Sequence, residues 1–470
     1  MAGGRHRRHQ RHELGAAGQL RGVRRPRGPG APGAGARAAR VRARHPPTQA
    51  LRPRPAAAHP PGTSLAGRLQ RCHRGSGPVS ASPEVVAAVR EQIAVVARGA
   101  VERERDRRLL HEEVEGLVAA GFTALRVPVE LGGHGATLPE LFELLVELSA
   151  ADPNATQALR GHVGLVERFL VGGTDRDRAW LRRAAAGEVF ANAQAELGPA
   201  TTTTATLRRD GESWRLSGRK FYTTGTLYAD FTWSGALDEH GERRGVVVPT
   251  AAAGVEVLDD WTGFGQRLTA SGTTTFDDVV LGEEHVYRVR AEPDWYTVDF
   301  RVVLHLLLQA AMAGIGVAVL RDAVGFVRSR TRSFGVPGEH LPRDDVRVHT
   351  VIGQLSSRVA AVKALVADVA RDLEATRARQ HASEAERDAD YVRLQVRQFE
   401  AQQVAVEDVL AATTALFEVG GASAVLSEKA LDRHWRNART IASHNPAIFR
   451  KAAIGAYLLN GTEPETDFKR

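Results

Sequence analysis

The sequence is nearly without cysteine and short of lysine. Its one cysteine, Cys72, lies near the start of the 470 residues. That excludes a disulfide framework, a zinc–thiolate site, an iron–sulfur cluster and a cysteine nucleophile from the rest of the chain, and makes a cytoplasmic protein the default expectation. Lysine occurs 5 times against 58 arginines, the imbalance that GC-rich coding produces. Aromatic residues are 6% of the chain, too few to show an obvious stacking cage. No apolar core of secretory type stands near the N-terminus, and the Arg-rich start lacks the serines and amphipathicity of a transit peptide. One stretch, residues 302–320, approaches the length of a membrane span with only His305 and Gln309 polar. Gly314 and Gly316 interrupt it and charges flank it closely, so it reads as the buried central helix of a bundle.

Familiar motifs are also missing. The Gly-rich string GIGVAVLRDAVG at 314–325 lies within a helical pattern, not after a strand, and so fails as a dinucleotide fingerprint. No phosphate-binding Gly-x4-Gly-Lys-Ser/Thr loop, His-Glu-x-x-His motif or Gly-x-Ser-x-Gly elbow is present.

What is there divides into four parts. Residues 1–80 hold 17 Arg, no Lys and one acid, Glu13, a net +16 against +8 for the whole chain, so the remainder carries −8. They also hold 10 of the 21 prolines. Such a segment cannot bury a core. It reads as a tail without fold, or as upstream text translated from a start placed too early. An arginine arm for nucleic acid is the rival reading. Residues 82–188 have apolar residues at helical spacing: one helix ending at Gly121, a second through PELFELLVELSAADP and a third through ATQALRGHVGLVERFLVGG. From 189 to 295 the period changes to short β-branched and aromatic runs (SWRLSG, YADFTWSGAL, RRGVVVP, GVEVL, GTTTFDDVVL), which predict an antiparallel β domain. Residues 296–470 return to long helices with short connections, a C-terminal helical bundle. The fold class expected is therefore α+β and multidomain.

Several strings, in this order, resemble the acyl-CoA dehydrogenase superfamily. They are AAGFTALRVPVELGGHGATLPELFELLVELSAADPNA, FANAQAELG, GRKFYTTGTLYAD and the arginine-bearing SRTRSFG. Two more, DDWTGFGQRLTASGTTTFDDVVL (259–281) and LDRHWRNARTIASHNPAIFRKAAIG (431–455), are similar to its dibenzothiophene monooxygenase branch. The resemblance runs from about residue 82 to the C-terminus. It implies an N-terminal helical domain, a middle β domain and a C-terminal four-helix bundle, assembled as a homotetramer. It also implies an enzyme that takes reduced FMN (FMNH2) from a separate NAD(P)H:flavin reductase. With dioxygen it would form a C4a-hydroperoxyflavin and oxygenate a small apolar, sulfur-containing molecule of dibenzothiophene or sulfone type.

A dehydrogenase of this fold removes an α-proton from a thioester and needs a glutamate base. At the two places where the superfamily carries it, this chain has Ser443-His444-Asn445-Pro446 and, on the first bundle helix, His305 and Gln309 without a Glu. That argues against the main alternative, an FAD-dependent acyl-CoA dehydrogenase or oxidase. A nucleic-acid-binding or scaffold protein driven by the basic tail ranks last, and neither membrane nor metal is expected as a partner.

The resemblance assigns roles residue by residue. His444 would hydrogen-bond the peroxide or relay a proton, its bland alternative being a helix-terminal histidine before Asn-Pro. Asn192, in FANAQ, would face the flavin, and Thr223 and Thr224 would offer a hydroxyl to flavin N5; as plain structure these are strand-edge residues. Trp261 would wall the flavin pocket or simply fill the core. His162 would border the substrate cavity as a catalytic residue, although a lone helical histidine is more often structural. Arg330 and Arg332 would grip the FMN phosphate, in this chain or a neighbouring copy. Substrate-lining positions are the least fixed, and Ile441 stands where some relatives have a polar residue.

Overall fold

A computed structural model describes residues 80–196, 204–289, 294–331 and 341–464. Seven helices come first: α1 (Pro83–Ala97), α2 (Ala100–Asp106), α3 (His111–Ala119), α4 (Leu138–Ala151), α5 (Pro153–Ala158), α6 (Arg160–Gly172) and α7 (Asp175–Ala185). The periodic stretch ending at Gly121 is thus three helices rather than one. Left-handed backbone at Gly99 (φ 76°) and Arg107 (φ 54°) breaks it without disturbing the apolar pattern. The start of α4 is fixed by a capping box in which Thr137 and Glu140 satisfy each other's backbone N–H, with Pro139 in the first turn.

The middle domain is one sheet of eight strands: β1 (Phe190–Ala193), β2 (Thr206–Asp210), β3 (Ser213–Lys220), β4 (Phe231–Asp238), β5 (Arg243–Pro249), β6 (Val255–Val257), β7 (Thr274–Leu281) and β8 (Val286–Arg288). Their order is β6-β7-β3-β2-β4-β5-β8, with β1 also on β4. The sheet is mixed, not antiparallel throughout. Both β1 and β2 run parallel to β4, one along its first half and the other along its end. The parallel pairing follows from connectivity: β1 arrives from α7, and the chain passes through the β2–β3 hairpin before β4 is laid down.

The C-terminal part comprises α8 (Trp295–Ser329), α9 (Val346–Ala378), α10 (Glu384–Ala415), α11 (Asp432–His444) and α12 (Ala447–Asn460). Helix α8 is the one helix among the described residues long and apolar enough to cross a membrane by length and composition, and most of its apolar window is buried in the protein. It packs against α4, α9 and α10. One continuous core joins α1, α4 and the bundle, while an aromatic cluster of Phe169, Trp180, Phe190, Phe231 and Trp233 joins α6 and α7 to β1 and β4.

Buried charges also tie the helices together. Glu167 on α6 is paired with Arg126 (2.6 Å) and with Arg377 of α9, and Arg377 in turn clasps Asp299 of α8 through two nitrogens at 2.7 and 2.8 Å. Burial alone would push the Glu167 carboxyl up, but Arg126 and Arg377 hold it down at about 2. Arg103 is held likewise by Glu113 (3.1 Å) and Asp152 (3.2 Å).

Candidate active site

Three close approaches bring the middle domain, α5–α6 and the bundle to one seam. At Gly225, just after Thr224, a Cβ would meet the Ala158 carbonyl at 2.2 Å. At Gly161 it would meet the Ala191–Asn192 backbone at 2.8–2.9 Å. Only glycine lets these backbones touch. Between them Arg160, the first residue of α6, reaches across to the bundle. Its Nε donates to the Leu304 carbonyl (3.2 Å) and its Nη1 stands 3.2 Å from His444 Nε2, at the end of α11. Arginine has no acceptor, so the His444 Nε2 accepts, and the imidazole proton, when there is one, is on Nδ1.

His444 is exposed at this seam, with protein packed on its other sides. That packing, and then the Arg160 charge, lower its pKa from the usual 6.5. Solvent on the open face screens part of the effect, but the direction is toward a neutral ring at pH 7. Behind it His305 of α8 lies 3.3 Å from Arg450 Nη2 of α12, and Arg450 also donates to Gln402 of α10. Burial and then Arg450, Arg160, His444 and Arg301 hold His305 well below 6.5. Arg160 is 6% exposed, and no carboxylate among the described residues pairs with it. Burial lowers its pKa to about 10, which leaves it charged at neutral pH. A cavity of about 280 Å³ opens beside these groups, lined by His305, Gln309, Met312, Gln402, Ile441 and Arg450, among others.

The wall of the seam on the β side carries a directed hydroxyl chain. Thr269 Oγ1 donates to the Gln266 carbonyl (2.8 Å), so it accepts from Ser271 (2.7 Å), which then accepts from Thr224 (2.8 Å). The Thr224 proton therefore points inward, leaving oxygen lone pairs free. Trp261 donates its indole N–H to the same Gln266 carbonyl (2.9 Å) and stands edge-on to Tyr222, which is exposed at the left-handed φ of 57°. The Gln266 carboxamide is buried with neither end hydrogen-bonded among the described residues. The Gln266 backbone N–H donates to Asn437 of α11 (2.5 Å), which ties this loop to the helix that carries His444.

The seam thus brings together His444, Thr224 and Trp261, with Asn192 half-buried on β1 at its edge. It does not bring in the others. Thr223 is fully buried in the β domain, its hydroxyl donating to the Gly272 carbonyl (3.1 Å) and accepting from Thr274 (2.9 Å). His162, 2% exposed and stacked on Phe190, spends both ring nitrogens on backbone: Nε2–H on the Thr123 carbonyl (3.0 Å) and Nδ1 on the Phe190 N–H (3.3 Å). It has no nitrogen left for catalysis. Arg330 caps the end of α8 and donates to the Val419 carbonyl (2.9 Å), away from the seam. Arg332 lies outside the described residues. Sequence reasoning missed Arg160, Arg450, Gln266 and the role of His305. The signal was there for the arginines: each is a cation at a core position of an apolar helix pattern, where a charge is rarely left without a task.

The chain matches the N-terminal, middle and C-terminal domains of acyl-CoA dehydrogenase at residues 83–188, 193–279 and 306–447. It belongs to the acyl-CoA dehydrogenase family. Among curated relatives, the probable FMNH2-dependent monooxygenase SfnC of Pseudomonas putida is 28% identical over 403 residues, 84% of this chain and 99% of the relative. The dibenzothiophene monooxygenase of Rhodococcus qingshengii is 27% identical over 385 residues, 78% of this chain and 91% of the relative. Among solved structures, FMN-bound TdsC from Paenibacillus sp. A11-2 superposes with a TM-score of 0.77 at 23% identity, over 82% of this chain and 100% of that one.

Proposed function

We propose that the chain is the oxygenase half of a two-component flavin-dependent monooxygenase. It takes reduced FMN from a separate NAD(P)H:flavin reductase, and dioxygen, and transfers one oxygen atom to a small sulfur-containing substrate. The observation that carries this reading is the charge of the seam. A dehydrogenase of this fold needs a carboxylate there to take an α-proton. Here the charged groups acting most strongly on His305 are Arg450, Arg160, His444 and Arg301, all basic. The acyl-CoA dehydrogenase alternative loses its base at this point. The names of the full-length relatives, an FMNH2-dependent monooxygenase and a dibenzothiophene monooxygenase, support the same reading.

The residues present fit a flavin. The outward lone pairs of Thr224 suit the N–H edge of a reduced isoalloxazine, and the orphaned Gln266 carboxamide offers the donor and acceptor that a flavin pyrimidine ring requires. Trp261 and Tyr222 supply apolar walls. Bound FMN would supply the reducing electrons and the activation of dioxygen. The chain's own part is to hold the substrate beside it, exclude water and move a proton. His444, neutral with its proton on Nδ1, is placed to do the last.

Partners follow. The exposed apolar face of α12 (Ile448, Phe449, Leu458, Leu459) supports self-association, with the homotetramer as the assembly. The dependence on NAD(P)H places the enzyme in the cytoplasm. The test is turnover under ¹⁸O-labelled dioxygen with a flavin reductase, NADH, FMN and methanesulfinate or dibenzothiophene. One labelled oxygen atom in the product is expected. Flavin reoxidation without labelled product from either compound, together with reduction of bound flavin by an acyl-CoA, would return the chain to dehydrogenase chemistry.

A further inference from the structure

From the seam we infer that the substrate is a small anion, with an oxyanion head held by Arg160 and Arg450 beside His305, in place of an uncharged aromatic heterocycle. The inference rests on the monooxygenase reading for the reaction and on the geometry alone for the binding site.

Three observations carry it. First, Arg160 is a buried charge whose neighbours are a carbonyl and a neutral imidazole. Carbonyl and imidazole acceptors solvate a guanidinium only in part, and a buried cation without a counter-ion is costly unless a ligand supplies the charge. Elsewhere in the same protein buried arginines are given carboxylates: Arg103 has two, Arg126 one, Arg377 two. Second, Arg450 is fully buried and lies on the far side of His305, so two guanidinium groups flank one small cavity of about 280 Å³. That volume is at the lower edge of ordinary ligand pockets. Third, the polar residues around it, Gln309 and Gln402, come from α8 and α10 and are otherwise placed in the bundle core, and Gln309 Oε1 has no partner among the described residues. Such a cavity is built for a polar head on a short apolar stem, with Met312, Ile441 and Ala442 taking the stem.

Among sulfur oxyanions, the sulfinate keeps a lone pair on sulfur and can accept one more oxygen atom, whereas the sulfonate cannot. The balanced reaction is RSO2⁻ + O2 + FMNH2 giving RSO3⁻ + FMN + H2O. Sulfur and the flavin each give up two electrons, one oxygen atom forms the new S–O bond, and the other leaves as water with the two flavin hydrogens. Charge is conserved on the substrate, so the arginine pair holds the product as well as the reactant.

The experiment is calorimetric titration of the full chain, with and without FMN, with methanesulfinate and with dimethyl sulfone, its uncharged counterpart. We expect methanesulfinate to bind and dimethyl sulfone not to. Arg160→Met should weaken methanesulfinate by at least about tenfold, while Arg160→Lys, which keeps the charge, should retain most of the binding. Arg450→Lys, a second variant with little change in volume, should weaken it less than Arg160→Met does. Equal binding of the two compounds, or methanesulfinate binding indifferent to Arg160→Met in a folded variant, overturns the inference. So does a variant that loses FMN but not riboflavin or methanesulfinate, because Arg160 then serves the cofactor phosphate. Binding is read without turnover. A chain that binds methanesulfinate through Arg160 yet inserts no oxygen upholds the anion site and removes the monooxygenase reading.

Discussion

Two sets of buried arginines in this protein have opposite surroundings. Arg126 and Arg377 meet over Glu167, and Arg377 also holds Asp299, whose other oxygen accepts from Tyr391. That network joins α6, α8, α9 and α10, and each cation has an anion within hydrogen-bonding distance. At the seam, Arg160 has none among the described residues. Both sets arise from the same kind of sequence signal, an arginine on the apolar face of a helix. The difference is that one is closed by the chain itself and the other is left for something to close. Closed networks position elements, and open ones bind.

The largest effect should come from opening the closed set. Glu167→Ala leaves Arg126 and Arg377 facing each other in the interior. Removing one partner of a buried pair typically costs about 3–5 kcal/mol. Urea denaturation should show a loss in that range, with α6 and α9 the first elements to exchange amide hydrogens. A loss below about 1 kcal/mol would mean that water reaches the network and that the contrast with the seam is smaller than the geometry indicates.

Next in size is His444→Ala. The ring is exposed, so the thermal midpoint should hardly move. Product formation should fall by about 100-fold, the lower range for loss of a positioned proton-transfer group. Full turnover in the variant, with reduced FMN and methanesulfinate, would take His444 out of the reaction and leave Arg160 as the chief polar group of the seam.

How far these two regions were legible in the sequence differs in an instructive way. The fold class followed from periodicity: 3.6-residue spacing before 189 and after 296, short β-branched runs between. The helix breaks at Gly99 and Arg107 were not legible, because apolar spacing continued across them and backbone handedness leaves no pattern when the residue is Arg. Nor was the parallel pairing of β1 and β2 with β4, which is a matter of long-range connection rather than local preference. Of the site, Thr224, Trp261 and His444 were nameable by resemblance. Arg160 and Arg450 were not, since 284 residues separate Arg160 from His444 and only the folded chain makes them neighbours. The reading of His162 as catalytic failed on a point no one-dimensional pattern shows: both nitrogens are taken by backbone.

That histidine supplies a smaller prediction. Burial lowers its pKa from 6.5 to about 4, and the folded protein therefore keeps it neutral where the unfolded chain binds a proton. With more protons on the unfolded state, stability rises with pH through this window. Equivalently, its contribution is intact above about 6.5 and is lost as pH falls toward 4. The loss should be on the order of 1–2 kcal/mol across the window. In His162→Gln, which keeps a donor for the Thr123 carbonyl, the acid slope of the unfolding free energy should flatten. An unchanged slope would assign the acid sensitivity to His434, whose pKa burial also lowers to about 4.

The smallest expected effect is the one that most directly tests the comparison. Arg377→Met and Arg160→Met make the same change at two buried positions. The first strands Glu167 and Asp299 with reduced compensation and should cost several kcal/mol, about the 3–5 of a broken buried pair. The second removes a charge that has no counter-ion in the chain. It gives up two hydrogen bonds to uncharged acceptors, the Leu304 carbonyl and His444, but it also relieves the burial of an uncompensated cation. These terms oppose each other at about 1–3 kcal/mol each, so the net change should lie within about 1 kcal/mol of zero. A ligand that binds only the folded state adds stability by mass action. Saturating methanesulfinate should therefore raise the midpoint of the wild type and of Arg377→Met, and leave Arg160→Met where it was. If Arg160→Met instead unfolds as readily as Arg377→Met, then Arg160 is a structural tie between α6 and α8, and the seam is closed after all.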